Sequence, residues 1–222
     1  MHTINTRKTI GFPEDRGDWA KSNAVYDEHT LRIAGHPVME DWEINYMEKL
    51  ADIAAAKGGV ILELGYGMGL SSKAIQSHNI QAHYVVECHP DVVSHCVKDF
   101  HYAIGANRLH ILSGFWQDVT PLLKDATFDG ILFDTYPMSE EEIHSNHFWF
   151  FTEAYRLLKP NGVFTYYSDE ATNFSEKHLM KLEAAGFKEK NIGFELCEVN
   201  PPQNCEYWQE KTMIAPIIRK ND

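Results

Sequence analysis

Two acidic stretches carry the chemistry that this sequence first suggests. Phe133-Asp134-Thr135-Tyr136-Pro137 follows a short apolar run, Gly130 to Phe133. Open α/β sheets bind ligands outside the carboxyl ends of their strands, so Asp134 is expected to face a pocket, with Tyr136 beside it. The second stretch is Met39-Glu40-Asp41-Trp42-Glu43, where i, i+3 spacing places Glu40 and Glu43 on one helical face and does not choose between them. Two carboxylates suit a guanidinium, whose planar fork of N–H donors pairs with them through charge-assisted hydrogen bonds. A guanidinium is also a poor nucleophile, with a pKa above about 12, so a carboxylate would have to take or share its proton for a nitrogen to react. The plainer reading of the acidic stretch is a solvated helix face.

A third element lies upstream of Asp134. Glu63-Leu64-Gly65-Tyr66-Gly67-Met68-Gly69 follows an apolar strand and precedes a helix, where glycines let the chain turn tightly and approach a ligand. Such turns serve nucleotides, flavins and S-adenosylmethionine alike. Glu87 ends the next strand 22 residues after Gly65, about where a carboxylate receives two ribose hydroxyls. The G-x-G-x-G spacing departs from the dinucleotide pattern and favours a cofactor without phosphates. Ser113-Gly114-Phe115-Trp116-Gln117-Asp118 adds an aromatic and a polar side chain where an adenine would lie, although ordinary core packing accounts equally for Trp116.

These residues need a scaffold, and from residue 58 apolar β-branched runs alternate with amphipathic stretches, the pattern of a doubly wound, mostly parallel α/β sheet. Strands are expected at Val60 to Leu64, His83 to Glu87, Arg108 to Leu112, Gly130 to Phe133 and Gly162 to Tyr167, with two longer ones near Phe194 and Thr212. The last two are joined through Asn200-Pro201-Pro202-Gln203-Asn204 and would form an antiparallel pair at the sheet edge. The clearest helices are Asp91 to Ile104 and His147 to Leu158, the latter stopped by Lys159-Pro160-Asn161-Gly162. Residues 1–57 show no strand-rich pattern, yet hold Trp19, Tyr26, Met39, Trp42, Tyr46 and Met47 among acids. They read as a lid, or as aromatics that merely cover one face of the sheet, ahead of a domain at 58–222.

Composition narrows the function classes. The 222 residues suit one compact domain and carry a formal net charge of -12, which repels phosphate backbones and favours small cationic substrates over nucleic acid. Cys88, Cys96, Cys197 and Cys205 form no C-x-x-C pair, the twelve histidines form no metal motif, and no metal is expected. No apolar run is long enough to span a bilayer and the N-terminus lacks a secretory apolar region, so a cytoplasmic protein without membrane contact is expected.

The sequence resembles guanidinoacetate N-methyltransferase and its relative, the fungal arginine delta-N-methyltransferase. The matching pieces run in one order over most of the chain: Leu31-Arg32-Ile33, Val38-Met39-Glu40, Trp42-Glu43, Gly65-Tyr66-Gly67-Met68, Glu87-Cys88, Gly114 to Asp118, Phe133 to Pro137 and Arg156 to Pro160. The resemblance implies a seven-stranded class I, Rossmann-like methyltransferase fold, S-adenosylmethionine as cofactor and transfer of a methyl group to a guanidino nitrogen. It assigns Glu43 as the lid carboxylate and Asp134 as the floor carboxylate. It places Trp19, Met39 and Met47 where the lid closes, and implies cofactor contacts from Tyr66, Gly67, Met68, Gly69, Leu70 and Ser71, from Glu87, Cys88 and His89, and from Trp116 and Gln117.

One departure concerns the substrate. Where guanidinoacetate enzymes place a neutral Leu-Thr pair that receives the substrate carboxylate, this chain reads Tyr167-Ser168-Asp169-Glu170. Two acids facing a third would repel it, so Asp169 and Glu170 are expected to read the ammonium of arginine or another guanidino amine, unless the loop simply faces solvent. Guanidinoacetate and arginine residues in protein are the alternative substrates, and a homodimer is the assembly allowed for. Aminopropyltransferases share the fold and the aspartate after strand four, but normally carry a glycine-aspartate-glycine turn that is absent here. A domain that binds the cofactor without turnover is a further alternative.

Overall fold

The computed structural model describes residues 10–13 and 15–221. Residues 1–9 and Glu14, part of the expected lid, lie outside the described residues. Five short apolar runs form the parallel body of the main sheet: β4 (Val60–Leu64), β5 (Ala82–Glu87), β6 (Leu109–Ser113), β7 (Phe128–Phe133) and β8 (Leu158–Tyr166). With β9 (Ile192–Glu198) and β10 (Thr212–Arg219) they make seven strands in the order β6-β5-β4-β7-β8-β10-β9. Only β10 runs against its neighbours, antiparallel to both β8 and β9. The doubly wound, mostly parallel sheet expected from the sequence is therefore present, with the chain reversing direction across the sheet at the β4 and β7 boundary.

Alternation along the strands separates two cores. Ile61, Leu132, Val163 and Met213 face one side and pack with helix α2 (Ile44–Ala55), whereas Leu62, Ile131, Phe133, Phe164 and Tyr166 face the other and pack with α6 (Asn146–Leu157) and α7 (Glu176–Ala184). The first approach is tight enough to dictate a residue. A Cβ on Gly130 would come within 1.8 Å of the Ala54 carbonyl oxygen, so β7 must carry glycine where α2 crosses it. Further helices of this part are α3 (Leu70–Ser77), α4 (Pro90–Gly105) and the single turn α5 (Trp116–Val119). Helix α6 passes into β8 without a separate loop. The expected stop at Lys159-Pro160-Asn161-Gly162 is the first part of the strand, and Asn161 alone turns left-handed at φ 63°.

The N-terminal segment corrects the reading that it lacks strands. After α1 (Arg16–Lys21) it forms a three-stranded antiparallel sheet of β1 (Ala24–Tyr26), β2 (Thr30–Ile33) and β3 (His36–Glu40). These strands are short and a register shift interrupts β2 between Leu31 and Arg32, which blurs their alternation. Their one clear mark is the two-residue turn Ala34-Gly35, with both residues at positive φ (51° and 83°), the geometry that matches the twist of a tight hairpin. A 3₁₀ turn, Asp41–Glu43, then leads into α2. Since α2 belongs to the core under the main sheet, the part of residues 1–57 that sits over the strand ends finishes at Glu43. Among the described residues no helix is long and apolar enough to cross a membrane.

Candidate functional site

One cavity opens at the carboxyl ends of the parallel strands. Its floor comes from Gly65 and Gly67, Glu87 and Cys88, Gly114 to Gln117, and Phe133 to Met138, while Trp19, Leu31, Ile33, Val38 and Met39 roof it. Among the described lining residues there is no lysine, arginine or histidine, but there are five carboxylates: Glu43, Glu87, Asp134, Glu142 and Asp169. Such a space favours cationic guests and offers no side-chain cation to a phosphate.

At one end the glycine turn is set by the protein's own close contacts. Gly65, Gly67 and Gly69 all have positive φ (89°, 55° and 71°), and a Cβ on Gly65 would fall 1.9 Å from the Asp134 carbonyl oxygen. A side chain on Gly67 would strike the Met39 thioether at 2.8 Å, and Met39 Sδ in turn accepts the Met68 N–H at 3.2 Å. Glu87 is buried at the end of β5, accepting the Tyr66 N–H at 2.9 Å and the His89 N–H at 2.8 Å. Burial raises its pKa against the pull of those backbone donors. Backbone N–H groups of the turn and of the strand end thus hold the carboxylate at the cavity wall, where a carboxylate can accept from a pair of vicinal hydroxyls. Trp116 stands edge-on to Phe133 and Phe150, with centroids 5.8 Å and 5.3 Å away, and still lines the cavity beside Gln117, so packing and pocket-lining are not alternatives for it. Burial and Glu87 push the Cys88 thiol up, keeping it protonated.

Several expected contact residues support this wall from behind instead of lining it. The Tyr66 hydroxyl donates to Asp99 at 2.6 Å, Gly69 packs on that phenol, and Leu70 begins α3. Ser71 and Ser72 both donate to buried Glu63. The His89 ring meets the Ser22 carbonyl at 2.8 Å, tying the turn to the N-terminal segment, and Met47 is buried in the core beneath the sheet. The same segment crosses the cavity edge again where Tyr26 donates to the Gly67 carbonyl at 3.1 Å and where Arg16 lies 5.0 Å over the Phe115 ring and 3.3 Å from Asp118.

At the other end, acidic side chains converge from distant parts of the chain. Asp134 leaves β7 with its N–H bonded to the Leu64 carbonyl at 2.9 Å. Glu43, 2% exposed, reaches the cavity from the 3₁₀ turn, whereas Glu40 ends β3 and accepts the Trp42 indole N–H at 2.8 Å. The shared helical face expected for the two glutamates does not exist, because the helix begins only after Glu43, and the structure selects Glu43 for the cavity. Tyr207, from the segment between β9 and β10, donates its hydroxyl to Glu43 Oε1. Burial, then Glu43 itself, raise the Tyr207 pKa, so it stays a donor. Tyr136 lines the cavity too, its ring stacked on Trp19 at 5.1 Å and its hydroxyl 2.9 Å from His36 Nδ1.

The two acids after β8 part company. Asp169, at φ 55°, lines the cavity with its side chain 12% exposed and 3.1 Å from His144. Glu170 does not line it: its carboxylate accepts the Ser175 N–H at 3.1 Å and sits 3.3 Å from His178 Nδ1. Tyr167 and Tyr207 line the cavity and were not singled out by sequence. Tyr207 lies in a stretch without periodicity, and Tyr167 reads simply as the end of an apolar strand.

Comparison with known proteins adds the lineage. The family model described as guanidinoacetate N-methyltransferase matches residues 13–221. The chain is 33% identical to protein arginine N-methyltransferase 2 of Yarrowia lipolytica over 162 residues, covering 68% of this chain and 33% of that protein. It is 34% identical to the Saccharomyces cerevisiae protein of the same name over 139 residues, covering 59% of this chain and 32% of that one. The chain thus spans about a third of the length of these curated relatives. In fold it is similar to spermidine synthase from Thermotoga maritima, with a TM-score of 0.61 at 15% identity over 90% of this chain and 72% of the other. It is also similar to M. jannaschii TYW2, solved in complex with AdoMet, with a TM-score of 0.60 at 13% identity over 90% of this chain and 87% of the other.

Proposed function

Because the chain belongs to the guanidinoacetate N-methyltransferase family, we propose that it is an S-adenosylmethionine-dependent N-methyltransferase acting on a guanidino nitrogen. The observation that carries this reading is a cavity with five carboxylates and no lysine, arginine or histidine among its described lining residues. Both a sulfonium and a guanidinium are cations, and neither brings a phosphate. The donor set fits the cofactor: Glu87 for the ribose hydroxyls, Trp116 and Gln117 for the adenine, and the Gly65 to Gly67 backbone beneath its amino-acid portion. When bound, the cofactor supplies an electrophilic methyl group.

The protein's own residues do the rest. Asp134 and Glu43 hold the guanidinium fork and turn one nitrogen toward the methyl, and Asp134, on the fixed end of β7, takes the proton that this nitrogen must lose. Tyr207 keeps the Glu43 carboxylate from rotating away. The described residues up to Glu43 act as the lid, excluding water through Trp19 and Met39.

For the acceptor we favour an arginine side chain in a polypeptide, in keeping with the names of the curated relatives, over the free guanidino amine expected from the sequence. The small-molecule reading rests on Asp169, whose carboxylate lines the cavity and would meet a substrate ammonium while repelling the carboxylate of guanidinoacetate. Incubation of the purified chain with methyl-labelled cofactor and arginine-bearing polypeptides, free arginine, agmatine and guanidinoacetate, with mass spectrometry of the products, tests both. Methyl transfer to no guanidino compound would overturn the assignment. Transfer to agmatine with none to polypeptide would restore the small-molecule reading.

A further inference from the structure

Tyr167 carries a polar atom that the fold itself does not use. Its backbone N–H donates to the Phe133 carbonyl at 3.0 Å, beside Asp134, and its ring stands edge-on to Tyr46 at 5.3 Å and 83°. Tyr46 is itself fixed, its hydroxyl donating to the Ile214 carbonyl at 2.9 Å. The phenol therefore enters the cavity from a rigid base, and its hydroxyl is shut off from solvent with no hydrogen-bonding partner among the described residues. An unmet buried hydroxyl destabilises a fold, and phenylalanine would fill the same space without that cost. Burial, together with Glu43, Asp169 and Asp134, keeps the phenol from ionising.

We propose that the Tyr167 hydroxyl is a third contact to the acceptor guanidinium, taking an N–H that the two carboxylates cannot reach. An alkylguanidinium has five N–H donors, and paired contacts to two carboxylates satisfy the outer four. The remaining N–H suits a neutral oxygen better than another anion, because a third carboxylate on one cation would add repulsion. With every donor met, the guanidinium cannot rotate in its plane, and the nitrogen facing the methyl group is fixed. Tyr167 thereby contributes to substrate affinity and to the choice of nitrogen. This inference rests on the guanidino reading of the site.

Tyr167→Phe keeps the ring and its packing on Tyr46 while removing the oxygen. It is expected to lower kcat/KM for the guanidino acceptor by about tenfold or more, with KM raised and with methylation appearing on a second nitrogen of the product. S-adenosylmethionine affinity by calorimetry should stay unchanged, and the melting temperature should hold or rise, since an unmet buried polar atom is gone. A purely structural tyrosine would do the opposite, lowering the melting temperature and leaving kcat/KM intact, and either of those results overturns the proposal. The wild-type enzyme run in parallel separates the two levels. If it methylates no guanidino compound, the site reading falls and this inference with it; if it does and the variant matches it, only the role of Tyr167 is lost.

Discussion

The two ends of the cavity are built in different ways. At the glycine-turn end, the lining residues come from short contiguous stretches, Gly65 to Gly67, Glu87 to Cys88 and Gly114 to Gln117, each at the tip of one parallel strand. At the acidic end, Glu43, Asp134, Tyr167, Asp169 and Tyr207 come from the 3₁₀ turn before α2, the end of β7, the loop after β8 and the segment before β10. The first kind of site is written into a local motif because one backbone turn supplies most of it. The second exists only after folding, and its parts can change separately. A family can keep the first end and vary its acceptor by altering the second.

The strongest test of this division is Asp134→Asn. It preserves shape but removes the proton acceptor and one negative charge, so turnover should fall by about a hundredfold or more while cofactor affinity by calorimetry stays nearly intact. If cofactor affinity fell equally, the two ends would not be separable. A reason to measure it is the backbone: the Asp134 carbonyl is the atom that a Cβ on Gly65 would strike, so the ends touch through main chain even where their side chains do not.

The complementary test lies at the other end. Glu87→Ala should weaken cofactor binding by roughly 1–3 kcal/mol, the loss of hydrogen bonds to a charged group, and should leave the acceptor KM unchanged at saturating cofactor. The pH dependence sharpens it. Because burial raises the Glu87 pKa, the protonated form, which is the poorer acceptor, persists to higher pH than for an ordinary glutamate. Cofactor affinity should therefore fall on acidification at higher pH than an exposed carboxylate would titrate, and Glu87→Gln should flatten that dependence. An identical pH curve for the variant would remove Glu87 from the ribose site.

The same contrast explains what could be read from the sequence. The parallel strands were legible because strands buried on both faces are continuous apolar runs between turn residues. The glycine turn and Glu87 were legible because their spacing is local. The β1 to β3 sheet was missed because its strands are three to five residues long and one carries a register shift, leaving Ala34-Gly35 as the only cue. Glu40 could not be separated from Glu43 because their distinction depends on the chain changing from strand to 3₁₀ turn between them. Asp169 and Glu170 are adjacent in sequence, yet the left-handed turn at Asp169 and the Ser175 N–H draw them to different surroundings, one to the cavity and one to the start of α7.

The smallest expected effect concerns Tyr207, the most remote contributor to the acidic end. Its hydroxyl bonds Glu43 Oε1 across a sequence separation of 164 residues, and burial, then the charge of Glu43, keep it protonated. Tyr207→Phe leaves the carboxylate in place but removes one hydrogen bond that orients it, so kcat/KM should fall by only about three- to tenfold, less than for loss of the carboxylate itself. A structural tyrosine would give a similar small loss by loosening the C-terminal segment, so the single variant does not suffice. The discriminating measurement is a double-mutant cycle with Glu43→Gln. If Tyr207 acts through Glu43, its removal should cost little once the carboxylate is gone, and the two effects should fail to add. If they add fully, Tyr207 works independently of Glu43, and the acidic end is a looser assembly than its geometry suggests.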